Sequence, residues 1–392
     1  MNRRDLLLAA AATPFVLAGR LYAAPATNRF LIVFLRGAYD AANVLIPISS
    51  DFYYRSRPTI AVAKPGQDEN SAVALDADWG LHPALKDSVL PLYRKGEAAF
   101  VPFAGIDDLS RSHFETQDAI ELGQPLTASR NYQSGFMSRL AGVLAATAPI
   151  AFTPQLPLIF RGGAPVPNIS LNTTAKPGID LRQAKLIEAM YRGSSLAPAV
   201  AEGFAIEDEV YKSIAVEMEA ASRGATTARG FELEARRMAR LMREKYSLGF
   251  VDVGGWDTHV NQGNANGYLA GRLGELGKGL AAFAQEMGPD WVDTTVVVIS
   301  EFGRTFRENG NRGTDHGHGS VYWVLGGGIK GGRIAGDQLK VSEANLFQNR
   351  DYPVLNEYRA VIGGLLSPIY GIEPDRLQTV FAGTNPKDIQ LV

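Results

Sequence analysis

Five histidines stand in this 392-residue chain, and three of them share short motifs with acids. His259 follows Asp257 in GGWDTH, His316 and His318 follow Asp315 in GTDHGHG, and Glu301 opens EFGRT upstream of them. Imidazole and carboxylate together suit zinc, manganese or iron-type cations. The chain has no cysteine, so thiolate ligands and disulfides are both excluded. These residue types point to one polar site for a divalent metal, zinc or manganese among the candidates, with the number of ions left open.

Each motif carries a bland alternative. Asp257 and His259 are two apart, so an extended backbone turns both side chains to one face. Gly254-Gly255 before them equally suits a tight turn in which Asp257 caps the next helix. In Asp315-His316-Gly317-His318-Gly319 the glycines let the backbone fold around a small ion, and Asp315 either binds it or orients a histidine. A flexible glycine loop would look the same. Glu301 reads as a ligand or acid/base group, or as a strand-end carboxylate paired to Arg304. Arg304 could instead clamp an oxyanion through its planar fork.

Ser110-Arg111-Ser112-His113 precedes a helical pattern, and Ser112 with Glu115 matches a capping box. A hydroxyl at a helix N-terminus also suits attack on a phosphate or sulfate ester, with backbone N–H groups and Arg111 holding the oxyanion. The nucleophile would be Ser112 or Ser110. His82, in GLHPAL, reads as a hydrogen-bonding structural residue as readily as a functional one.

The elements that must position these groups are legible as apolar runs. Residues 30–35 (FLIVFL) predict a buried central strand, as do 98–103, 158–161, 248–253, 294–300 and 320–325. Pro102 places the second of these near a strand end. Helical patterns cover 83–95, 114–122, 136–146, 206–223, 230–245, 269–287 and 355–366. Strands alternating with long helices predict an α/β fold with a mainly parallel central sheet sandwiched by helices. The stretch from about 183 to 245 reads as a helical insertion or cap within a single domain spanning 25–392. Asp40, Asp257 and Glu301 each follow a strand. Ligands bind outside the carboxyl ends of strands in such sheets, so these carboxylates can converge there.

Hydrophobic residues at 46% and charged residues at 20% describe a globular chain with a large core. A net charge of -2 without a basic stripe argues against nucleic acid. Arg3-Arg4, the apolar run 6–19 and Ala23-Ala24-Pro25-Ala26 have the layout of an export signal over residues 1–24, and the arginine pair points to the twin-arginine route. The apolar run is shorter than the roughly 18–20 residues that span a bilayer. A periplasmic or extracellular location is therefore expected.

The leader, LRGAYDAANVLIP, SRSHFETQD, GGWDTH, SEFGRT and GTDHGHG, in that order, resemble the exported bacterial proteins of domain-of-unknown-function family 1501. That resemblance spans essentially the whole mature chain. It implies an alkaline phosphatase/sulfatase-like fold with two metal positions over the strand ends. It also implies Asp40 as ligand to one metal, Ser112 or Ser110 as a helix-capping nucleophile, and Asp257 with His259 on the other metal. Glu301-Phe302-Gly303 stands where Asp-His-Gly is common, and Phe302 cannot ligate, so His316 or His318 must supply the missing imidazole. The expected function is an exported metal-dependent hydrolase of a phosphate or sulfate ester, small or polymer-borne. Its ligand pool is Asp40, Asp257, His259, Glu301, Asp315, His316 and His318, with Ser112, Arg111 and Arg304 as catalytic groups. The rival is a noncatalytic periplasmic binding or assembly protein that keeps the fold and one ion.

Overall fold

Alternate side chains of the first strand enter two different cores, which is why its sequence is apolar without a break. Leu31, Val33 and Leu35 of β1 (Arg29–Leu35) join one cluster, and Phe30, Ile32 and Phe34 join the other. The same division recurs in β8 (Thr294–Ser300), with Val296 and Val298 on one face and Val297 and Ile299 on the other. A strand buried on both faces needs helices on both sides, and the chain supplies them. Helices Phe231–Glu244 and Tyr268–Met287 cover the first face. Helices Phe136–Leu144, Tyr358–Tyr370 and Pro374–Val380 cover the second. The computed structural model describes residues 28–144, 146–163, 165–171, 187–198, 200 and 230–392.

Among the described residues the main sheet has eight strands in the order β10-β5-β9-β8-β1-β7-β6, with β11 also paired to β5. The remaining members are β5 (Ala98–Gly105), β6 (Pro149–Ala151), β7 (Leu248–Val253), β9 (Ser320–Leu325), β10 (Arg333–Ile334) and β11 (Asn356–Glu357). Only β9 runs against the others. The expected α/β architecture with a mainly parallel sheet is therefore present. A smaller antiparallel sheet, β2 (Leu45–Pro47), β4 (Trp79–Leu81) and β3 (Val73–Ala74), adds Leu45, Ile46 and Leu81 to the first core.

Some local expectations are corrected. Residues 158–161 are not a strand: Leu158–Phe160 forms a buried 3-10 turn after Pro157, and the edge strand lies at Pro149–Ala151. A short apolar run carries no period of its own, so burial alone does not distinguish the two forms. The pattern at 83–95 splits into a 3-10 turn, Pro83–Leu85, and a helix, Val89–Arg94. The strand at 98 extends to Gly105, and its pairing with β9 shifts register between Pro102 and Ala104, where Phe103, at φ +53°, is the extra residue. Helix Phe231–Glu244 packs its apolar stripe into the first core. The leader at 1–24, the helix at 206–223 and, from the rest of the 183–245 stretch, residues 183–186, 199, 201–205 and 224–229 lie outside the described residues. No helix among the described residues is long and apolar enough to cross a membrane.

The topology fixes where chemistry can gather. Leu35 pairs with Val253 and with Ser300, so β1, β7 and β8 end level with one another. At that same rim β5 delivers the 106–113 segment, and antiparallel β9 begins, so the residues just before Ser320 also lie there.

Candidate metal centre

Four side chains from three separate segments meet at this rim. His113 Nε2 lies 2.9 Å from His316 Nε2, and His259 Nε2 lies 3.1 Å from the same atom. Asp257 Oδ1 is 2.9 Å from His259 Nε2 and 3.4 Å from His316 Nε2, and its Oδ2 is 3.7 Å from His113 Nε2. The ligand atoms of His113, Asp257 and His316 all lie within 4.8 Å of one another, and His259 adds a fourth through its contacts with the last two. Each of the four side chains is partly open to solvent.

The outward nitrogens decide what the inward ones can do. His113 Nδ1 meets Glu301 Oε1 at 2.7 Å, His259 Nδ1 meets Asp315 Oδ1 at 3.0 Å, and His316 Nδ1 meets the Arg111 carbonyl oxygen at 3.0 Å. All three partners are acceptors, so each neutral ring carries its proton on Nδ1 and turns an Nε2 lone pair inward. Three lone pairs and a carboxylate at contact distance repel unless a cation sits among them. A tetrahedral zinc with bonds of about 2.0–2.1 Å sets its ligands roughly 3.3–3.4 Å apart, close to the separations here. The donor set fits one divalent transition ion, with the carboxylate and carbonyl partners usual for metal-bound imidazoles.

Local backbone features allow the approach. Gly317 packs so tightly that a Cβ would stand 2.4 Å from the Arg304 carbonyl, which lets the His316 segment bridge to Arg304. Gly37, at φ +117°, lies against the Asp257 amide and gives its own N–H to Glu301 at 2.8 Å. Phe302 stacks on His113 with ring centroids 4.9 Å apart and flanks His316 at 5.2 Å. The aromatic ring that cannot ligate forms a wall behind two that can.

The sequence-predicted residues divide accordingly. Asp257, His259 and His316 converge. Asp315 orients His259 and also accepts from Asn309 at 3.1 Å. Glu301 is fully buried and does not face the cluster's centre. Its oxygens accept from Gly37, His113, Gln117 and Ser300, so it holds His113 rather than an ion. Burial works against its charge, but those hydrogen bonds, His113's first, carry its pKa below the usual range. Asp257 behaves likewise: burial is outweighed by Arg304, whose Nη1 lies 2.5 Å from Oδ1.

Asp40 is corrected from ligand to buried partner. Its two oxygens receive Arg57 at 2.5 and 3.0 Å and Gln262 at 2.6 Å, which leaves a cation no room. His318 is also withdrawn from the ligand set. It is buried, faces Asp107 at 3.3 Å and packs on Phe347 at 4.8 Å between centroids. Arg304 is committed to Asp257 and Thr314, and Arg111 to Asp351 and Gln348, so neither guanidinium stands free as an oxyanion clamp. Ser112 is the N-cap of helix His113–Leu122 by backbone conformation, but the capping box is absent because its side chain makes no cap hydrogen bond. The Ser110 hydroxyl is engaged with Thr116 at 3.2 Å and the Ser112 amide at 3.3 Å. His82 is structural: Nδ1 accepts from the Ala84 amide and Nε2 donates to the Asn264 carbonyl.

His113 is the residue missed. The signal was available in Phe302, which left one imidazole position unfilled, and in the strand end at Gly105, which brings the SRSH segment to the rim. A Glu301→Gln variant, which loses the charge holding the His113 ring, is expected to weaken metal binding about 10–100-fold while the protein stays folded. Isothermal titration with zinc against wild type checks this, and equal affinities would refute the assignment.

No curated protein matches the chain. Among solved structures it is similar to a protein in the alkaline phosphatase superfamily from Vibrio parahaemolyticus, at 12% identity over 88% of this chain and 68% of that one, with a TM-score of 0.38. It is also similar to a 2-O GAG sulfatase, at 10% identity over 88% of this chain and 71% of that one, with a TM-score of 0.39. A third is Ps i-CgsB in complex with k-i-k-neocarrahexaose, at 9% identity, 93% and 75% coverage and a TM-score of 0.36. A family model described as "Protein of unknown function (DUF1501)" matches residues 27–380, and the chain belongs to that family.

Proposed function

We propose that the protein is an exported hydrolase of phosphate or sulfate esters that works with one divalent transition ion. The observation that carries the reading is the convergence of three Nε2 atoms and the Asp257 carboxylate, each imidazole held by an acceptor on its far side. When bound, the ion would supply Lewis-acid stabilisation of charge on the transferring group. His113, His259, His316 and Asp257 would hold it. Ser112 adjoins His113, and its hydroxyl is not used as a cap, which leaves it to act as nucleophile. The N-terminal amides of helix His113–Leu122 favour the anionic part of the substrate. Export through the twin-arginine machinery rests on Arg3-Arg4 and the apolar run behind them, and it places the mature protein in the periplasm or outside the cell.

Metal analysis of the purified mature protein, followed by a panel of phosphate and sulfate esters, tests the reading. A Ser112→Ala variant is expected to lose turnover by on the order of 10³-fold or more while keeping its metal content. Full turnover in that variant would remove Ser112 from the mechanism.

A second reading, a noncatalytic binding or assembly protein that retains one ion, draws on a specific observation. The four side chains already complete a tetrahedral set, and Arg111 and Arg304 are both tied to carboxylates. Loaded protein without turnover on any ester would favour it.

A further inference from the structure

Three of the four ligands, Asp257, His259 and His316, sit on two loops, and one buried amide joins both loops to the interior. Gln262 is fully buried. Its Nε2 donates to Asp40 Oδ2 at 2.6 Å, and its Oε1 accepts from Thr258 Oγ1 at 2.8 Å and from Thr314 Oγ1 at 3.2 Å. Thr258 lies between the ligands Asp257 and His259. Thr314 precedes Asp315, which holds His259, and His316, which is a ligand itself. Thr314 also receives Arg304, through its hydroxyl at 3.2 Å and its carbonyl at 2.6 Å, and Arg304 grips Asp257. Backbone bonds join the same loops, from Gln262 N to Arg312 O at 2.9 Å and from Thr314 N to Thr258 O at 3.1 Å.

Resting on the metal reading above, we propose that Gln262 is a positioning residue for the metal centre, which sets the spacing of the two ligand loops by anchoring both to the buried Asp40–Arg57 pair. The amide is suited to this because it has a donor end for the carboxylate and an acceptor end for two hydroxyls, and every bond has one polarity. Asp40 is a fixed anchor for Gln262 because Arg57 holds the carboxylate through two hydrogen bonds in a site closed to water. A satisfied buried network of this kind has a single arrangement, which is what a preorganised set of four ligands needs. Gln262 touches none of the four ligand atoms, so it acts through Thr258, Thr314 and Arg304.

The test uses the full mature chain stripped of metal and titrated with cobalt(II), read by affinity and by the ligand-field absorption bands. Gln262→Leu keeps the side-chain bulk and is expected to weaken cobalt(II) binding about 10–100-fold and to alter the band intensities. Thr258→Val, which removes one hydroxyl, is expected to shift both in the same direction by less. Val297→Ala, in the opposite core, is expected to lower thermal stability and leave both readings at wild type. Wild-type affinity and spectrum in Gln262→Leu would overturn the proposal, and so would an equal shift in Val297→Ala. If Gln262→Leu does not fold, Thr258→Val decides by the same criteria. Wild-type protein that binds no cobalt(II) overturns the metal reading itself, and the proposal with it.

Discussion

A His316→Ala variant is expected to purify folded but without its divalent ion, whereas His318→Ala, two residues away, keeps it. His316 Nε2 is the hub of the cluster, within 2.9 Å of His113, 3.1 Å of His259 and 3.4 Å of Asp257. Removing it takes away the nitrogen that all the others share. The loss of affinity should exceed the roughly 10–100-fold that follows from disturbing an outer-shell partner. His316 is partly exposed, so its truncation leaves no sealed cavity and the fold is retained. His318 lies in the interior against Phe347, so its truncation lowers stability by about 1–3 kcal/mol without touching the ion. Elemental analysis of both variants, with thermal unfolding alongside, separates the two roles. Retained metal in His316→Ala, or its loss in a folded His318→Ala, would sink the assignment.

Arg57→Met is expected to destabilise the protein by about 3–5 kcal/mol, because it leaves the Asp40 carboxylate buried without its countercharge. Arg57 is completely enclosed, and its donors meet two oxygens of Asp40, the Asn43 side chain, and the carbonyls of Thr305 and Phe306. A guanidinium has five N–H groups, and five bonds use them all. Gln262 alone cannot offset the charge that remains. Combining Arg57→Met with Asp40→Leu removes both charges and is expected to recover much of the loss. Urea unfolding measures the pair of variants. A single variant within about 1 kcal/mol of wild type would show that the pair contributes little.

These two results bear on how far the chain could be read in advance. The unbroken apolar runs of β1 and β8 were legible because a strand covered on both faces has no polar side to show. The clustering of acids and histidines after strand ends was legible for a similar reason, since a parallel sheet sends its strand ends to one rim. Spacing was a poor guide to which groups turn inward. His316 and His318 are two apart, as extended backbone would need for a shared face, yet Gly317 lies flat against Arg304 and the two rings serve different surroundings. Asp40 and Glu301 occupy the expected strand ends, but neither is available to an ion. Asp40 is taken by an arginine 17 residues away, and Glu301 by a histidine 188 residues away.

By itself the sequence determined the layered α/β framework, the rim at which chemistry would occur, and the imidazole and carboxylate types that suit a divalent ion. Those properties follow from local periodicity and from the order of the strands. Only the tertiary structure decided which nitrogens face one another, because the contact between His113 and His316 spans 203 residues and depends on the helix that carries one meeting the loop that carries the other. Ligand identity is a matter of angstroms and tautomers, and both are set by partners that lie far away along the chain.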